Sequence, residues 1–111
     1  MSRFVHPDLQ DVSLSAVLHA LADPVRRKIL KSLVADKSCD GRGKSCAAAA
    51  PPDVPKATLS NHFSVLRSAG LVHAEKQGVE VIHRIRCEEV DRRFPGLLSA
   101  VLSNDDPEDG G

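Results

Sequence analysis

Thr58-Leu59-Ser60-Asn61-His62-Phe63-Ser64-Val65-Leu66-Arg67-Ser68-Ala69-Gly70-Leu71-Val72 decides the fold. With Lys56 just before it, Leu59, Phe63, Leu66 and Ala69 recur near i, i+4, i+7 and i+10, the spacing of one buried helical face, and Gly70 supplies a left-handed stop. The other face carries Thr58, Ser60, Asn61, Ser64, Arg67 and Ser68, short hydrogen-bonding side chains without a carboxylate. A merely solvated helix mixes Glu with Lys. Side chains of this kind donate and accept at base edges and phosphates, so the spacing predicts a helix that docks into a duplex groove.

Toward the C-terminus, Leu71–Gln77 and Glu80–Arg86 are β-prone and joined by Gly78-Val79, a two-residue link suited to a type II′ hairpin. Val81, His83 and Ile85 alternate with Ile82, Arg84 and Arg86, so one face packs while the other meets an anion. Glu88–Arg93 reads as a helical turn, and Pro95 begins a last helix with an apolar stripe of Leu97, Leu98, Val101 and Leu102. These expectations give one domain over 1–103 and an acidic, frayed tail over 104–111. Toward the N-terminus, Asp23-Pro24 starts a helix whose buried face is Val25, Ile29, Leu30 and Leu33, leaving Arg26, Arg27, Lys28 and Lys31 as a cationic side. Leu14, Val17, Leu18 and Leu21 mark a first helix from Asp11 or Ser13. Between Ala35 and Pro55 the periodicity fails, with Asp40-Gly41, Gly43 and three prolines as turn signals and room for one short helix about 45–50.

Helix, helix, short helix, helix, hairpin, helix is the order of a winged helix-turn-helix, a mainly α fold with a β-hairpin. The stretch Leu18–Leu30 (Leu-His-Ala-Leu-Ala-Asp-Pro-Val-Arg-Arg-Lys-Ile-Leu), together with Thr58–Val72, resembles the ArsR-type repressors, the arsenic- and metal-responsive bacterial winged-helix regulators, over roughly residues 12–102. The resemblance implies a symmetric homodimer that binds a short palindromic operator on double-stranded DNA, blocks transcription and lets go when an inducer binds. It places Thr58, Ser60 and His62 at DNA-contacting positions, with Ser64 where the family often has a basic residue. His62 also reads as a packing histidine beside Phe63. Added to these are Lys56, Asn61 and Arg67 on the same helix and Lys76, Gln77 and Arg84 on the wing. The first and last helices offer Leu14, Val17, Leu18, Leu97, Leu98, Val101 and Leu102 to a two-fold interface. Pro51–Pro55 departs from the family, which has a second apolar helix and a tight turn there.

The chain has 111 residues, with 15 Lys/Arg against 15 Asp/Glu. The zero total hides a segregation: residues 24–93 hold fourteen basic against eight acidic residues, while both ends are acidic. Charges beyond a Debye length of about 8 Å are screened, so the basic middle governs a contact surface and the acidic ends work against binding to random DNA. Three phenylalanines and no tyrosine or tryptophan leave no platform for stacking single-stranded bases. No run approaches the roughly 18 apolar residues of a membrane span and no export signal is visible, which reads as a cytoplasmic protein with reduced thiols.

Cys39 and Cys46 flank a cationic glycine-containing loop, where a thiol of lowered pKa would sense oxidants or bind a soft metal or metalloid, with Cys87 as a third ligand if the fold brings it near. The family's arsenic-type Cys-Val-Cys and its zinc-type ligands on the final helix are both missing. Incidental thiols are the plainer reading. Catalysis finds no support: Gly43-Lys44-Ser45 matches the end of a phosphate-binding loop, but Ser38 stands where its first glycine belongs, and the five histidines lack metal-site spacing. A protein-interaction adaptor on the same fold is the remaining alternative.

Overall fold

Ser13 and Asp23 open the first two helices. Ser13 Oγ accepts from the Ala16 N–H at 3.1 Å at the start of α1 (Leu14–Leu21). Asp23 Oδ1 accepts from the Val25 and Arg26 N–H groups at 2.8 and 3.3 Å, and Pro24, which has no N–H to satisfy, begins α2 (Pro24–Ala35). Burial alone would raise the Asp23 carboxyl, but the N–H donors of Arg26 and Val25, together with the nearby His62 and Arg26 side chains, hold the group below its ordinary value. The computed structural model describes residues 6–35, 44–45 and 53–105.

The decisive stretch forms α3 (Lys56–Ser68), whose end is a complete Schellman motif. Gly70 takes φ +77°, its N–H donates to Arg67 O at 3.0 Å, and the Leu71 N–H reaches back to Leu66 O at 3.0 Å. That turn delivers the chain into a hairpin of β2 (Val72–Gln77) and β3 (Glu80–Ile85), in register from Val72 opposite Ile85 to Gln77 opposite Glu80. Gly78 at φ +65° makes the two-residue connection.

A third strand, β1 (Lys44–Ser45), pairs antiparallel with β3, giving the order β1-β3-β2. It was not expected. The spacing predicts a short helix over about 45–50, whereas Ser45 pairs with Ile82 in this strand; 46–50 lie outside the described residues. Pro95 likewise precedes the last helix instead of starting it. Gly96 adopts φ +78° and donates its N–H to Asp91 Oδ1 at 3.0 Å, so a turn separates α4 (Cys87–Arg93) from α5 (Leu97–Ser103).

One core joins these pieces. Val17, Ala20 and Leu21 of α1, Ile29, Leu30 and Leu33 of α2, and Leu59, Phe63 and Leu66 of α3 meet Leu71, Val72 and Ile85 of the hairpin and Val90 of α4. Each large aliphatic or aromatic side chain buried this way contributes about 1.5–3 kcal/mol relative to exposure, which is what holds α3 with its polar face outward.

Candidate nucleic-acid interface

The face of α3 opposite Phe63 carries the site. Lys56, Thr58, Ser60, Asn61 and Ser68 are exposed, Ser64 and Arg67 half-buried, and no acidic residue lies on the helix. This follows from the 3.6-residue repeat, because a stripe anchored by Leu59, Phe63 and Leu66 turns the residues between them to solvent.

His62 is different. It is 7% exposed, and its Nδ1 lies 3.3 Å from an Arg26 Nη1, itself on a residue only 7% exposed. A guanidinium only donates, so Nδ1 must be the acceptor and the neutral ring carries its proton on Nε2. Arg26 also donates from Nε to Ala20 O at 2.7 Å and from Nη2 to His19 O at 2.9 Å. One side chain thus satisfies two carbonyls at the end of α1 and fixes α3 through His62. Arg26 therefore does not belong to a cationic surface, and His62 packs inward. Both positions were legible: Arg26, Leu30 and Leu33, like Leu59, His62, Phe63 and Leu66, share a buried helical stripe.

The hairpin projects Lys76, Gln77 and Val79, all exposed, with Val79 at the tip 98% so. Arg84 is half-buried, 4.0 Å from Glu75 across the strands. His83 is buried against Phe63, ring centroids 4.2 Å apart. At the base of the hairpin a strap before α1 closes the outer edge of β2. His6 Nε2 accepts from the Ala74 N–H at 2.9 Å, and its ring stacks on His73 with centroids 4.1 Å apart. Burial first, then His73, Arg86, Arg67 and Arg84, push the His6 imidazole below its ordinary value; burial and then Arg84 do the same to His73.

The remaining cations of α2 are also occupied. Arg27 Nε and Lys31 Nζ donate to the two oxygens of Asp105 at 2.7 and 2.9 Å, and Arg27 Nη1 reaches Leu21 O at 2.7 Å. The Lys31 and Arg27 bonds bring the Asp105 carboxyl down to about 2. The first residues of the tail are thus pinned to α2, not frayed, and the cationic side expected of that helix is largely internal to the fold.

Among the interface candidates, Leu14 and Leu18 are 48% and 45% exposed, whereas Val17 is fully buried in the protomer core and has no surface to offer a partner. Leu97, Leu98, Val101 and Leu102 are half-buried. Leu98 and Leu102 line an apolar groove of about 520 Å³ with Val34, Ile85 and Cys87. Cys87 is disulfide-bonded, contrary to the reduced thiol expected. Cys39 and Cys46 lie outside the described residues. Among the described residues no three His, Cys, Asp or Glu side chains gather as metal ligands, and no helix is long and apolar enough to cross a membrane.

A family model described as a helix-turn-helix domain matches residues 21–75, from the end of α1 into β2. The chain is 32% identical over 98 residues to the HTH-type transcriptional regulator CmtR of Mycobacterium bovis, covering 88% of this chain and 79% of the relative. The proteins of that name from Mycobacterium tuberculosis strains CDC 1551 and H37Rv match to the same extent.

Proposed function

The chain belongs to the helix-turn-helix transcriptional regulators, and from that premise we propose that it is an ArsR-type repressor, binding its operator as a homodimer and released by an inducer. The observation that carries the reading is the exposed, carboxylate-free face of α3, backed by Leu59, Phe63 and Leu66. Thr58, Ser60 and Asn61 are the base-edge readers; Lys56, Ser64 and Arg67, with Lys76, Gln77 and Arg84 of the hairpin, are the phosphate contacts. His62 contributes by holding the helix.

The dimer is supported by exposed Leu14 and Leu18 on α1 and by α5, a helix with no fully buried residue. Pairing these surfaces across a two-fold axis removes apolar area from water on both and presents two copies of α3 to successive half-sites. The test is a titration of labelled DNA from the region upstream of its own gene at several salt concentrations. Affinity that falls steeply with salt and exceeds that for unrelated DNA is expected; a flat salt response favours an adaptor.

A second reading concerns the inducer, and the disulfide at Cys87 favours it. Two thiols here would pass two electrons and two protons to a peroxide, forming the S–S bond and two waters, and a reductant would reverse the step. A disulfide offers no thiolate, so soft-metal binding at Cys87 requires reduction first. Repeating the titration with and without reductant, on the native chain and on Cys87→Ser, distinguishes a switch from a bond that only holds the fold.

A further inference from the structure

We propose that the cleft between the N-terminal strap and α4 binds a small phosphate monoester, at an effector site separate from α3. The cleft measures about 680 Å³ and is bounded by His6 and Leu9 on one side and by Arg86, Glu89, Arg92 and Arg93 on the other. Three guanidiniums and two carboxylates line it: Glu89 on the same wall as the arginines, and opposite it Asp8, whose Oδ1 accepts from the Gln10 N–H at 3.0 Å.

The three arginines differ in what already balances them. Arg86 is compensated: Nε and Nη2 donate to the two oxygens of Glu89 at 3.2 and 2.8 Å, and Nη1 donates to Pro7 O at 3.0 Å. Arg93 spends its bonds on neutral groups, Leu9 O at 3.2 Å and Val12 O at 3.4 Å, with its guanidinium carbon 4.3 Å above the Phe94 ring. Those contacts hold the fork in place without cancelling its charge. Arg92 is exposed and makes no hydrogen bond or ion pair among the described residues.

Two uncancelled guanidiniums on consecutive residues, one of them already fixed in position, match a doubly charged oxyanion better than a single carboxylate. The space exceeds what inorganic phosphate fills and falls within the range of small-ligand pockets, which leaves room for an organic group on the ester. His6 on the opposite wall is held below its ordinary imidazole value by burial first, then by His73, Arg86, Arg67 and Arg84. The cleft also touches the foot of the wing: Arg86 donates its N–H to Leu71 O at 2.9 Å, and His6 holds Ala74 of β2. A ligand seated there bears on the angle between hairpin and α3, which gives it a route to DNA affinity.

The binding claim does not depend on the repressor reading; only the coupling to DNA rests on it. Thermal melts and NMR titrations of the full chain with inorganic phosphate and phenyl phosphate, against chloride at matched ionic strength, test the first. Saturable binding at or below about 10 mM, tighter for the ester, is expected, since site-bound ligand raises the melting temperature by mass action. Arg92→Glu should weaken it at least about tenfold, roughly the loss of one charge-assisted contact, and Asn61→Ala should leave it unchanged. No saturation, or equal binding by Arg92→Glu, overturns the site. For the second claim, phosphate should alter operator affinity of the native chain and not of Arg92→Glu. If Arg92→Glu instead weakens DNA binding without phosphate present, the cleft holds a phosphate of the duplex backbone and the effector assignment fails.

Discussion

Replacing Arg26 with methionine removes the tie between α1 and α3 while keeping the site filled. The loss can be worked from its partners. Ala20 O, His19 O and His62 Nδ1 each lose a charged donor, at 2.7, 2.9 and 3.3 Å. An unsatisfied buried acceptor costs about 1–3 kcal/mol; Ala20 O and His62 Nδ1 are buried while His19 lies in an exposed residue, so the sum is about 3 kcal/mol. A buried ionic group can sometimes be exchanged for an apolar one at no cost, but only when its partners change with it. Here Ala20 O at the helix end loses its donor, which no methionine can replace, while His19 O keeps the Ala22 N–H at 3.2 Å. With a urea m-value of about 1–1.5 kcal/mol/M, the denaturation midpoint should fall by about 2–3 M. Arg26→Lys, which keeps the charge but presents one nitrogen, should fall between. A double-mutant cycle with His62→Phe should show coupling of about 1 kcal/mol. Were Arg26→Met to unfold within about 0.5 kcal/mol of the native chain, the assignment of these bonds to the stability of the α1–α3 junction would be wrong.

Gly70→Ala should destabilise by about 1–2 kcal/mol in the same urea assay, because an L side chain at φ +77° is strained and its Cβ would sit 3.2 Å from Leu9 Cδ1. Lys56→Ala should lower the slope of log affinity against log salt by about 0.9 and weaken all DNA sequences alike, measured by fluorescence anisotropy. The Asp105 carboxyl is lower in the folded state, so its stabilising effect is complete above its ordinary value of 3.8 and disappears as pH falls toward about 2; Asp105→Asn should flatten that part of an acid-unfolding profile. His6 is also lowered, and for a base this means stability is lost as pH falls below 6.5, where the unfolded chain takes up the proton more readily. The protection factor of the Ala74 amide, taken against its intrinsic exchange rate at each pH, should fall over the same interval, and in His6→Ala it should be low throughout.

Local signals carried much of this fold. The α3 stripe, the Asp23-Pro24 start and the glycines at 70 and 78 each act within a few residues, through periodicity, capping or backbone conformation, and each shaped the chain as the sequence indicated. The misread features depend on contacts between distant segments. Asp105 finds Arg27 across 78 positions, and β1 is two residues recruited by β3. The disulfide at Cys87 also depends on the fold and on redox state, neither of which cysteine spacing reveals. Arg26 and His62 form an intermediate case. Their positions on buried stripes were visible, but charge placed Arg26 on the surface and the family motif offered His62 to DNA as well as to packing; the helix-end carbonyls that take up the Arg26 donors, and Arg26 itself beside His62, make the burial favourable.

The imidazole resting on the Ala74 amide guards the sheet's outer border. Strand borders left bare invite other chains to zip onto them. A protein clipped before Pro7 would lose that guard, so proteolysis at the front of the chain would show first as sheet-to-sheet clumping in storage, ahead of any change in how tightly the remaining helices pack.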